Sequence, residues 1–357
     1  MNQDRRRRER RRAMSPLGQL GVLKMDRLLP ATAGGRIIGA QWEKALACEP
    51  GARGGEDPED LHKMRVAIRR LRAARRVFRK ALRQAAGGDA LAPFDDDLRQ
   101  VARALGAMRD LDVALDALRQ YAATESTADQ EALSRLAGDW QQRREAARVG
   151  LLATLDGEPM ARLRERFAGI VATLVAPSAE TAGSKRSQRL AASAPGLVRK
   201  ALRRFRRRGR RLFVPTDAEL HRFRIEAKRL RYTAEFLEPA LGQGIRPLIQ
   251  LITAIQEALG AVNDAGVAIA ALLGDVERLA SIPERAADTG AIARLIRHHC
   301  TRREAGLAQF RLAWPQVPKP AALVRGLRHA APGHGRAAGP RKGDHSRHRA
   351  LPYSQRS

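Results

Sequence analysis

Cysteine is nearly absent from this chain, since only Cys48 and Cys300 occur among its 357 residues. Two lone thiols provide neither a disulfide framework nor a metal-binding cluster. They are typical of a reducing cytoplasm, where such residues pack as small apolar side chains. The sequence therefore predicts a cytoplasmic protein without a metal site.

Aromatic residues and long apolar runs are also scarce. Aromatics make up 4% of the chain, too few for a row of stacking platforms for single-stranded nucleic acid. That shortage favours an acidic partner without bases. No uninterrupted apolar run is long enough to cross a bilayer. The apolar stretch 17–29, behind the N-terminal arginines, is broken by Lys24, Asp26 and Arg27, which argues against an export signal. We expect no membrane association.

Acidic residues are outnumbered by basic ones. The chain has 38 Asp and Glu against 67 Lys and Arg, a formal net charge of +29, and its sequence pI is near 11.5. Charge of this size accelerates association with any polyanion, although it does not specify a fold. We therefore expect an acidic partner.

Strand-type alternation is rare, and helical spacing of apolar residues predicts an all-α fold. The candidate helices are 34–48, 58–86, 91–121, 128–155, 160–176, 196–212, 217–240, 245–279 and 288–313. The arginine-rich arm 1–16 and the basic tail 314–357 have compositions typical of disorder. The Ala-, Ser- and Gly-rich stretch 177–195 is the best candidate for a linker.

What the chain does contain is one basic phrase written twice, 159 residues apart. A histidine and three cations follow each other at the same offsets in both copies: His62, Arg65, Arg69 and Arg72, then His221, Arg224, Lys228 and Arg231. Like charges on one helical face repel each other. A chain that repeats this pattern is expected to hold an anion there.

Both copies carry a helix-start signal that fixes the position of the histidine. Asp57 followed by Pro58 predicts an N-cap with proline at the first helical position. Thr216 and Glu219 form a predicted capping box. Each histidine is therefore expected within the first two turns of its helix.

A second phrase follows each copy of the first. Leu105-Gly106 leads to Asp110 and Asp112, and Leu259-Gly260 leads to Asp264. The shared order indicates duplication of a helical unit and two-fold pseudosymmetry. We assign residues 17–313 to one domain, with repeat one at about 17–176 and repeat two at about 196–313.

The basic stripe lies beside the apolar face of its helix. At about 100° per residue, Leu61, Met64 and Ile68 cover one side. The stripe itself contains His62, Arg65, Arg69, Arg72 and Arg76. A stripe in that position can line a groove between packed helices, and the arginine fork grips phosphate oxygens in pairs. The alternative is an ordinary solvated helix surface.

The histidines are expected to act on an anion. First-turn amides favour a bound anion and disfavour a proton on the empty imidazole. We hypothesise that each histidine donates to a phosphate oxygen, so that affinity rises as pH falls through the histidine range near 6.5. The alternatives are a half-buried imidazole with its own partners and a simple capping partner. Metal ligation is less favoured, because neither histidine has a second His or Cys at ligand spacing.

The aspartates of the second phrase admit two interpretations. Asp110, Asp112 and Asp264 are either internal partners that orient the arginines or metal ligands and general bases. The first is favoured because no nucleophile or paired carboxylate accompanies them. We predict no catalytic residue and no cofactor. Gly106 and Gly260 are expected to permit close helix contact or a kink.

A further basic segment precedes the second histidine helix. Arg199, Arg203, Arg206 and Arg210 would share one helical face. The face either extends an anion track or is solvated surface, and the sequence leaves both interpretations open.

The phrases from His62 to Arg72 and from His221 to Arg231 resemble the two signature helices of the CHAD family, the conserved histidine α-helical domain. The Leu105-Gly106 and Leu259-Gly260 phrases resemble the second motif of that family. The resemblance covers roughly residues 20–313 and implies two four-helix bundles related by a pseudo-two-fold axis. It also implies binding of inorganic polyphosphate in a basic central cavity and association with polyphosphate granules in bacterial cells. The binding residues implied are His62, Arg65, Arg69, Arg72, His221, Arg224, Lys228 and Arg231, to which the stripe adds Arg76.

Two rival functions remain at this point. A nucleic-acid-binding protein could use the arm and tail for non-specific contacts, and it would show the same loss of affinity with salt. A phosphohydrolase could use the aspartates. Competition by tRNA or duplex DNA tests the first, and phosphate release with a divalent metal tests the second.

Overall fold

The structure is a computed structural model that describes residues 25–55, 57–175, 189–210, 212 and 215–329. Every regular element within those ranges is helical, which confirms the predicted all-α class. The predicted arm 1–16, most of the linker 177–195 and the tail beyond residue 329 lie outside the described residues.

The helices follow the predicted ones closely, because the capping residues and prolines that set their ends are local signals. They are α1 Pro30–Gly54, α2 Pro58–Ala85, α3 Asp95–Ala122, α4 Thr127–Asp156, α5 Glu158–Arg162, α6 Ala168–Val175, α7 Leu190–Gly209, α8 Asp217–Leu241, α9 Arg246–Ala280, α10 Asp288–Ala313 and α11 Pro320–His329. A π-helical turn, Leu163–Phe167, joins α5 to α6.

The two repeats pack their helices in the same order. In repeat one, α1 packs on α2, α2 on α3 and α3 on α4, and in repeat two, α7 to α10 repeat those contacts. A further helix returns to cover the first helix of each repeat, α6 on α1 and α11 on α7. The architecture is two four-helix units related by pseudo-two-fold symmetry, each with a covering helix.

The repeats meet at two separate junctions. At the first, α2 packs against α8 within the large apolar core. At the second, α4 packs against α10, and a smaller apolar cluster that includes Leu136 and Leu272 joins the far ends of α3 and α4 to α9 and α10. Trp140 Nε1 and Arg143 Nη2 of repeat one donate to Asp275 of repeat two at 2.8 and 2.5 Å. The middle parts of α3 and α9 run between the junctions, and they expose Val113 and Val267 there.

The ordered part of the chain extends past the predicted start of the tail at residue 314. Val317 and Leu327 are 3% and 4% exposed, and the ring centroid of Trp314 lies 5.6 Å from that of Phe205. A Cβ at Gly209 would overlap the Trp314 ring. The boundary was therefore wrong by about one helix, because residues 314–329 complete the core of repeat two. Similarly, α7 begins at Leu190, inside the predicted linker, because Leu190 itself is fully buried.

One described helical stretch, Gln243–Ala280, is long and apolar enough to cross a membrane by length and composition, with a mean hydropathy of 1.4. This stretch contains α9, which packs against α8 and α10. Helices that pack inside a folded core pass the same test, so the finding is weak evidence for a membrane span.

Candidate functional site

The histidine helices begin as their sequences predict. The Asp57 carboxylate accepts a hydrogen bond from the Glu59 amide at 2.8 Å. In the capping box, the Glu219 amide donates to Thr216 Oγ1 at 3.3 Å, and the Thr216 amide donates to Glu219 Oε2 at 2.9 Å. These caps place each histidine at the fifth residue of its helix.

The apolar faces of α2 and α8 are fully buried, and the basic stripes lie beside them. Leu61, Met64 and Ile68 are at most 1% exposed. Among the residues of the stripes, Arg65, Arg69, Arg224 and Lys228 are half-buried. The stripes therefore line the edge of the core, and the solvated-surface alternative does not describe these four side chains.

Aromatic and acidic side chains of α8 bring the two stripes together at the first junction. Arg70 of α2 forms an ion pair with Glu235 of α8, which also pairs with Arg231 at 2.9 Å. The guanidinium carbons of Arg69 and Arg231 lie 6.0 and 5.6 Å from the ring centroid of Tyr232. Cations over an aromatic face are stabilised by its quadrupole. Tyr232 thus holds arginines from both repeats around one ring.

The convergence crowds five cations, which we call the central cluster: Arg65, Arg69, Arg224, Lys228 and Arg231. Burial, followed by repulsion from Arg224 and Arg69, lowers the pKa of Lys228 to about 8. Burial also lowers the pKa of Arg69, and Arg65, Arg231 and Arg224 add to the effect, although Tyr232 opposes it. The positive charges of each repeat therefore make it less favourable for the cations of the other repeat to be protonated.

Several buried polar atoms of the cluster find no hydrogen-bond partner among the described protein atoms. They are Nε of Arg69 and of Arg224 in the cluster, and Oη of Tyr232 and Nδ1 of His62 beside it. Buried polar atoms in folded proteins nearly always have a partner, and each exception calls for an explanation. Concentrated donors with no acceptor, beside crowded positive charge, are the chemistry of an anion-binding site.

The second-phrase aspartates are partners of the arginines. Arg65 Nη2 donates to Asp110 at 3.0 Å, and Arg224 Nη2 donates to Asp264 at 3.4 Å. Asp112 lies elsewhere, buried against Arg144 at 2.6 Å. The arginines pack over the glycines of the second phrase: a Cβ at Gly106 or Gly260 would lie 3.9 Å from the guanidinium group of Arg65 or Arg224, an ordinary contact distance, so space alone does not require glycine there. Each arginine thus crosses a glycine on the neighbouring helix.

The two histidines differ in their surroundings. His221 is exposed, and its Nδ1 lies 2.7 Å from Asn263 Oδ1. Asn263 in turn donates to Asp264, the partner of Arg224, at 3.1 Å. His62 is half-buried, and burial, followed by the charge of Arg109, lowers its pKa. An unliganded site therefore holds His62 mainly neutral near pH 7.

Arg72 and Arg76 lie outside the central cluster. Arg72 is half-buried, and burial followed by repulsion from Arg99 and Arg103 of α3 lowers its pKa. Arg76 lines a groove between α2, α7 and α8. The seven other predicted residues lie in the cluster or are the two histidines that flank it.

The four arginines that the sequence places on one helical face before α8 have different surroundings in the structure. Arg206 donates to the carbonyls of Val317 and Pro318 and so fastens the chain ahead of α11. Arg199, Arg203 and Arg210 are exposed. The neighbouring Lys200 and Arg204 line the groove instead.

Three contributors were missed in the sequence: Arg109, Asn263 and Tyr232. Arg109 and Asn263 occupy the same position of the repeated second phrase, immediately before its aspartate. Comparing the two copies at that position would have singled them out. Tyr232 gave no signal, because the first repeat has Ala73 at the corresponding position.

Metal ligation finds no support in the part of the chain that the structure describes. It contains no group of three or more His, Cys, Asp or Glu side chains that could hold a metal ion. Both cysteines are free thiols, Cys48 buried and Cys300 exposed.

Comparison with known proteins agrees with this architecture. The CHAD domain family model matches residues 36–273, and the chain belongs to that family. The crystal structure of the CHAD domain from the plant Ricinus communis is 27% identical, with a TM-score of 0.56, and the match covers 85% of this chain and 92% of that one. PptA from Streptomyces chartreusis shares the fold at 18% identity, with a TM-score of 0.59 over 80% of this chain and 99% of that one. No curated protein matches the chain.

Proposed function

We propose that this protein binds inorganic polyphosphate at the central cluster, without catalysing a reaction, and that it associates with polyphosphate granules in the cytoplasm. Membership of the CHAD family supports this function, and the cluster lies on the two helices whose phrases resemble the signature motifs of that family. The observation that carries the proposal is the pair of buried donors without acceptors, Nε of Arg69 and of Arg224, beside the crowded charge of Lys228.

Linear polyphosphate matches these donors in charge and geometry. Every unit of the polymer offers charged oxygens, and the planar arginine fork binds two of them at once. The cations come from both repeats, so that a chain lying across the first junction would relieve repulsion from both sides. Each added phosphate also releases counterions, which raises affinity at low salt.

The arrangement favours binding over hydrolysis. Asp110 and Asp264 already accept hydrogen bonds from Arg65 and Arg224, at 3.0 and 3.4 Å. Asp112 is engaged by Arg144. Carboxylates whose oxygens are already engaged by arginines are poorly placed to accept a proton from an attacking water.

Polyphosphate binding should strengthen as pH falls. A bound anion favours the charged forms of Lys228 and His62, both of which have lowered pKa values without it. Affinity should therefore rise as pH falls through about 8, where Lys228 gains its proton, and again in the more acidic range of His62. This adds a lysine step to the expected histidine dependence.

Nucleic acid is the second candidate, favoured by the net charge of +29. Base stacking is not offered by the cluster, since the Tyr232 ring is already covered by arginines. We therefore expect tRNA and duplex DNA to bind more weakly than polyphosphate at equal phosphate concentration.

The test is the double substitution Arg69→Glu with Lys228→Glu. Each charge-assisted hydrogen bond contributes roughly 1.5 kcal/mol or more, so affinity for polyphosphate should fall about a hundredfold or more. Isothermal titration calorimetry measures the affinity, and circular dichroism checks that helix content is retained. Arg199→Glu with Arg203→Glu, on the exposed face of α7, is the charge-matched control and should have a much smaller effect.

Each rival function predicts a different result. Unchanged polyphosphate affinity in the Arg69/Lys228 variant would place the site elsewhere. Displacement of polyphosphate by tRNA at equal phosphate concentration would favour the nucleic-acid function. Phosphate release from polyphosphate with added Mg²⁺ would show an enzyme. Fluorescence imaging of tagged protein should show the wild type on granules and the Arg69/Lys228 variant dispersed.

A further inference from the structure

A basic concavity lies on the structure apart from the central cluster. It is a groove of about 810 Å³ between the C-terminal half of α2, α7 and α8. Its lining includes seven cations and one carboxylate: Arg76, Arg79, Lys80, Arg83, Lys200, Arg204, Arg229 and Glu226. The floor is apolar, with Val77, Leu197 and Leu230 among its residues.

The cations of the groove are only partly neutralised. Glu226 pairs with Arg229 at 2.5 Å and lies 3.6 Å from Arg204. Arg79 pairs with Asp89 at 3.2 Å. Within the described ranges, the other four groove cations have no carboxylate at ion-pair distance: Arg76, Lys80, Arg83 and Lys200. The groove thus keeps a concentrated positive charge after its internal pairs are counted.

The walls of the groove are close enough to act on one ligand, since Arg204 of α7 lies 3.6 Å from Glu226 of α8. Burial by the surrounding helices lowers the pKa of Arg76, and repulsion from Arg229 and Arg72 adds to the effect. Arg83 and Lys80 lie near the C-terminus of α2, where cations also interact favourably with the helix dipole. That reason does not apply to Lys200, which lies in the middle of α7.

The groove and the central cluster are linked by α2. Arg69 and Arg76 are seven residues apart on this helix, which corresponds to about 10 Å along its axis. Arg72 lies between them and repels Arg76. A flexible linear polyanion can span such a distance, and a chain that occupies one surface has a high effective concentration at the other.

We propose that this groove is a second phosphate-binding surface, which takes the continuation of a linear polyphosphate chain whose first part occupies the central cluster. The inference rests on the proposed function and deepens it. The cluster binds any chain of a few phosphates, and the groove adds affinity only for chains long enough to reach it. Chain-length preference is then set mainly by cations outside the two signature phrases, between Arg76 and Arg83 on α2 and at Lys200 and Arg204 on α7.

The test compares tripolyphosphate with long-chain polyphosphate on the full-length protein. The variant Arg83→Glu with Lys200→Glu reverses one charge on each wall of the groove and leaves the central cluster intact. Long-chain affinity should fall about tenfold, with a shallower dependence on salt, because fewer counterions are released. Tripolyphosphate affinity should stay within about twofold of the wild type, since that ligand engages the cluster alone.

The control changes the net charge by the same amount as the groove variant. Arg199→Glu with Arg203→Glu removes two exposed cations from the other side of α7, and it should leave long-chain affinity near the wild-type value. An equal loss in this control would show a net-charge effect and overturn the proposal. Undiminished long-chain binding in the groove variant would overturn it too.

The outcome for the groove is separable from that for the central cluster. If the Arg69/Lys228 variant still binds tripolyphosphate while the groove variant loses it, the proposed function is misplaced. A groove variant that loses affinity for tRNA or duplex DNA but keeps long-chain polyphosphate would assign the groove to nucleic acid and overturn this inference.

Discussion

His62 and His221 occupy the same position in two copies of one helix, yet their neighbours differ. In repeat two, Asn263 Oδ1 accepts a hydrogen bond from His221 Nδ1 at 2.7 Å, and the Asn263 amide group links His221 to the Arg224–Asp264 pair. In repeat one, the equivalent neighbour is Arg109, and His62 Nδ1 has no partner among the described protein atoms. The Nδ1 atom of His221 thus has a hydrogen-bond partner within the protein, whereas the Nδ1 atom of His62 has none among the described atoms.

Duplication therefore preserved the arrangement of arginine, glycine and aspartate in both repeats, while the residue beside each histidine diverged in charge and hydrogen bonding. In both repeats an arginine crosses a glycine to reach an aspartate. A single position of the second phrase then decides whether the histidine is bonded or repelled. The half of the site in repeat one carries more uncompensated charge, and we expect it to hold the bound anion more tightly.

The largest expected effect concerns Asp275 of repeat two at the second junction, to which Trp140 and Arg143 of repeat one donate. Burial acts to raise the pKa of Asp275, but hydrogen bonds from Arg143 and Trp140 hold it below its usual range. Asp275→Ala would leave Trp140 Nε1 without its acceptor and should lower the free energy of unfolding by about 2–3 kcal/mol. Urea denaturation at pH 7 measures the change.

The stabilisation from Asp275 should fade in acid, as pH falls through the lowered folded-state pKa of its carboxyl group. The matched control is Asp116→Ala, an exposed aspartate of α3 that accepts only from Gln120 at 3.0 Å. It should be nearly neutral. Equal losses of unfolding free energy in the two variants would show that the hydrogen bonds to Asp275 contribute no more to stability than the contact of an exposed aspartate.

A smaller effect is expected from Lys228→Arg, which makes repeat two match Arg69 of repeat one. In the wild type, affinity should fall by up to about tenfold for each pH unit above the Lys228 pKa of about 8. Arginine stays charged in this range, so the variant should bind with nearly constant affinity between pH 7 and 9. Calorimetry in buffers of different ionisation enthalpy should also show less proton uptake on binding.

Lys44→Arg, at an exposed position of α1, is the control for the lysine-to-arginine change. It should keep the wild-type dependence on pH. If Lys228→Arg shows the wild-type fall in affinity, the titrating group must be another residue.

The smallest effect is expected from Arg109→Asn, which gives repeat one the second-phrase residue of repeat two. Removing the cation should raise the pKa of His62, for which Arg109 is the strongest repulsive charge. Loss of one peripheral cation should weaken polyphosphate binding by about threefold. Nuclear magnetic resonance of the histidine ring protons follows the titration, with His298 as an internal reference. An unmoved His62 titration would show that burial alone sets its pKa.

The fold was largely readable from the sequence because its signals are local. Asp57, Pro58 and the Thr216–Glu219 box fix where the histidine helices begin, whatever the tertiary structure. The repeated phrases then gave the order of the helices. The missed helix α11 is short and lies among Pro- and Gly-rich segments, so its buried Leu327 was visible only in the packed structure.

The sequence grouped Arg69 and Arg76 in one stripe, but it could not show that Arg76, further along α2, lines a separate groove. Residues seven apart on a helix differ by about 20° in direction, so Arg69 and Arg76 look like one stripe in the sequence. Which of them meets the partner helix depends on how α2 and α8 cross, and only the structure supplies that angle. It also supplies Tyr232, which gathers arginines of both repeats without any counterpart in repeat one.

The contact between Arg206 and the carbonyls of Val317 and Pro318 has a practical consequence for shortening the protein. Truncation at the last residue of α10 would strip Trp314 from Phe205 and uncover the aromatic stack at the heart of repeat two. A shortened protein meant to lack only the basic C-terminal residues should instead retain the chain through His329. Trimming there separates the contribution of that extremity from the integrity of the domain.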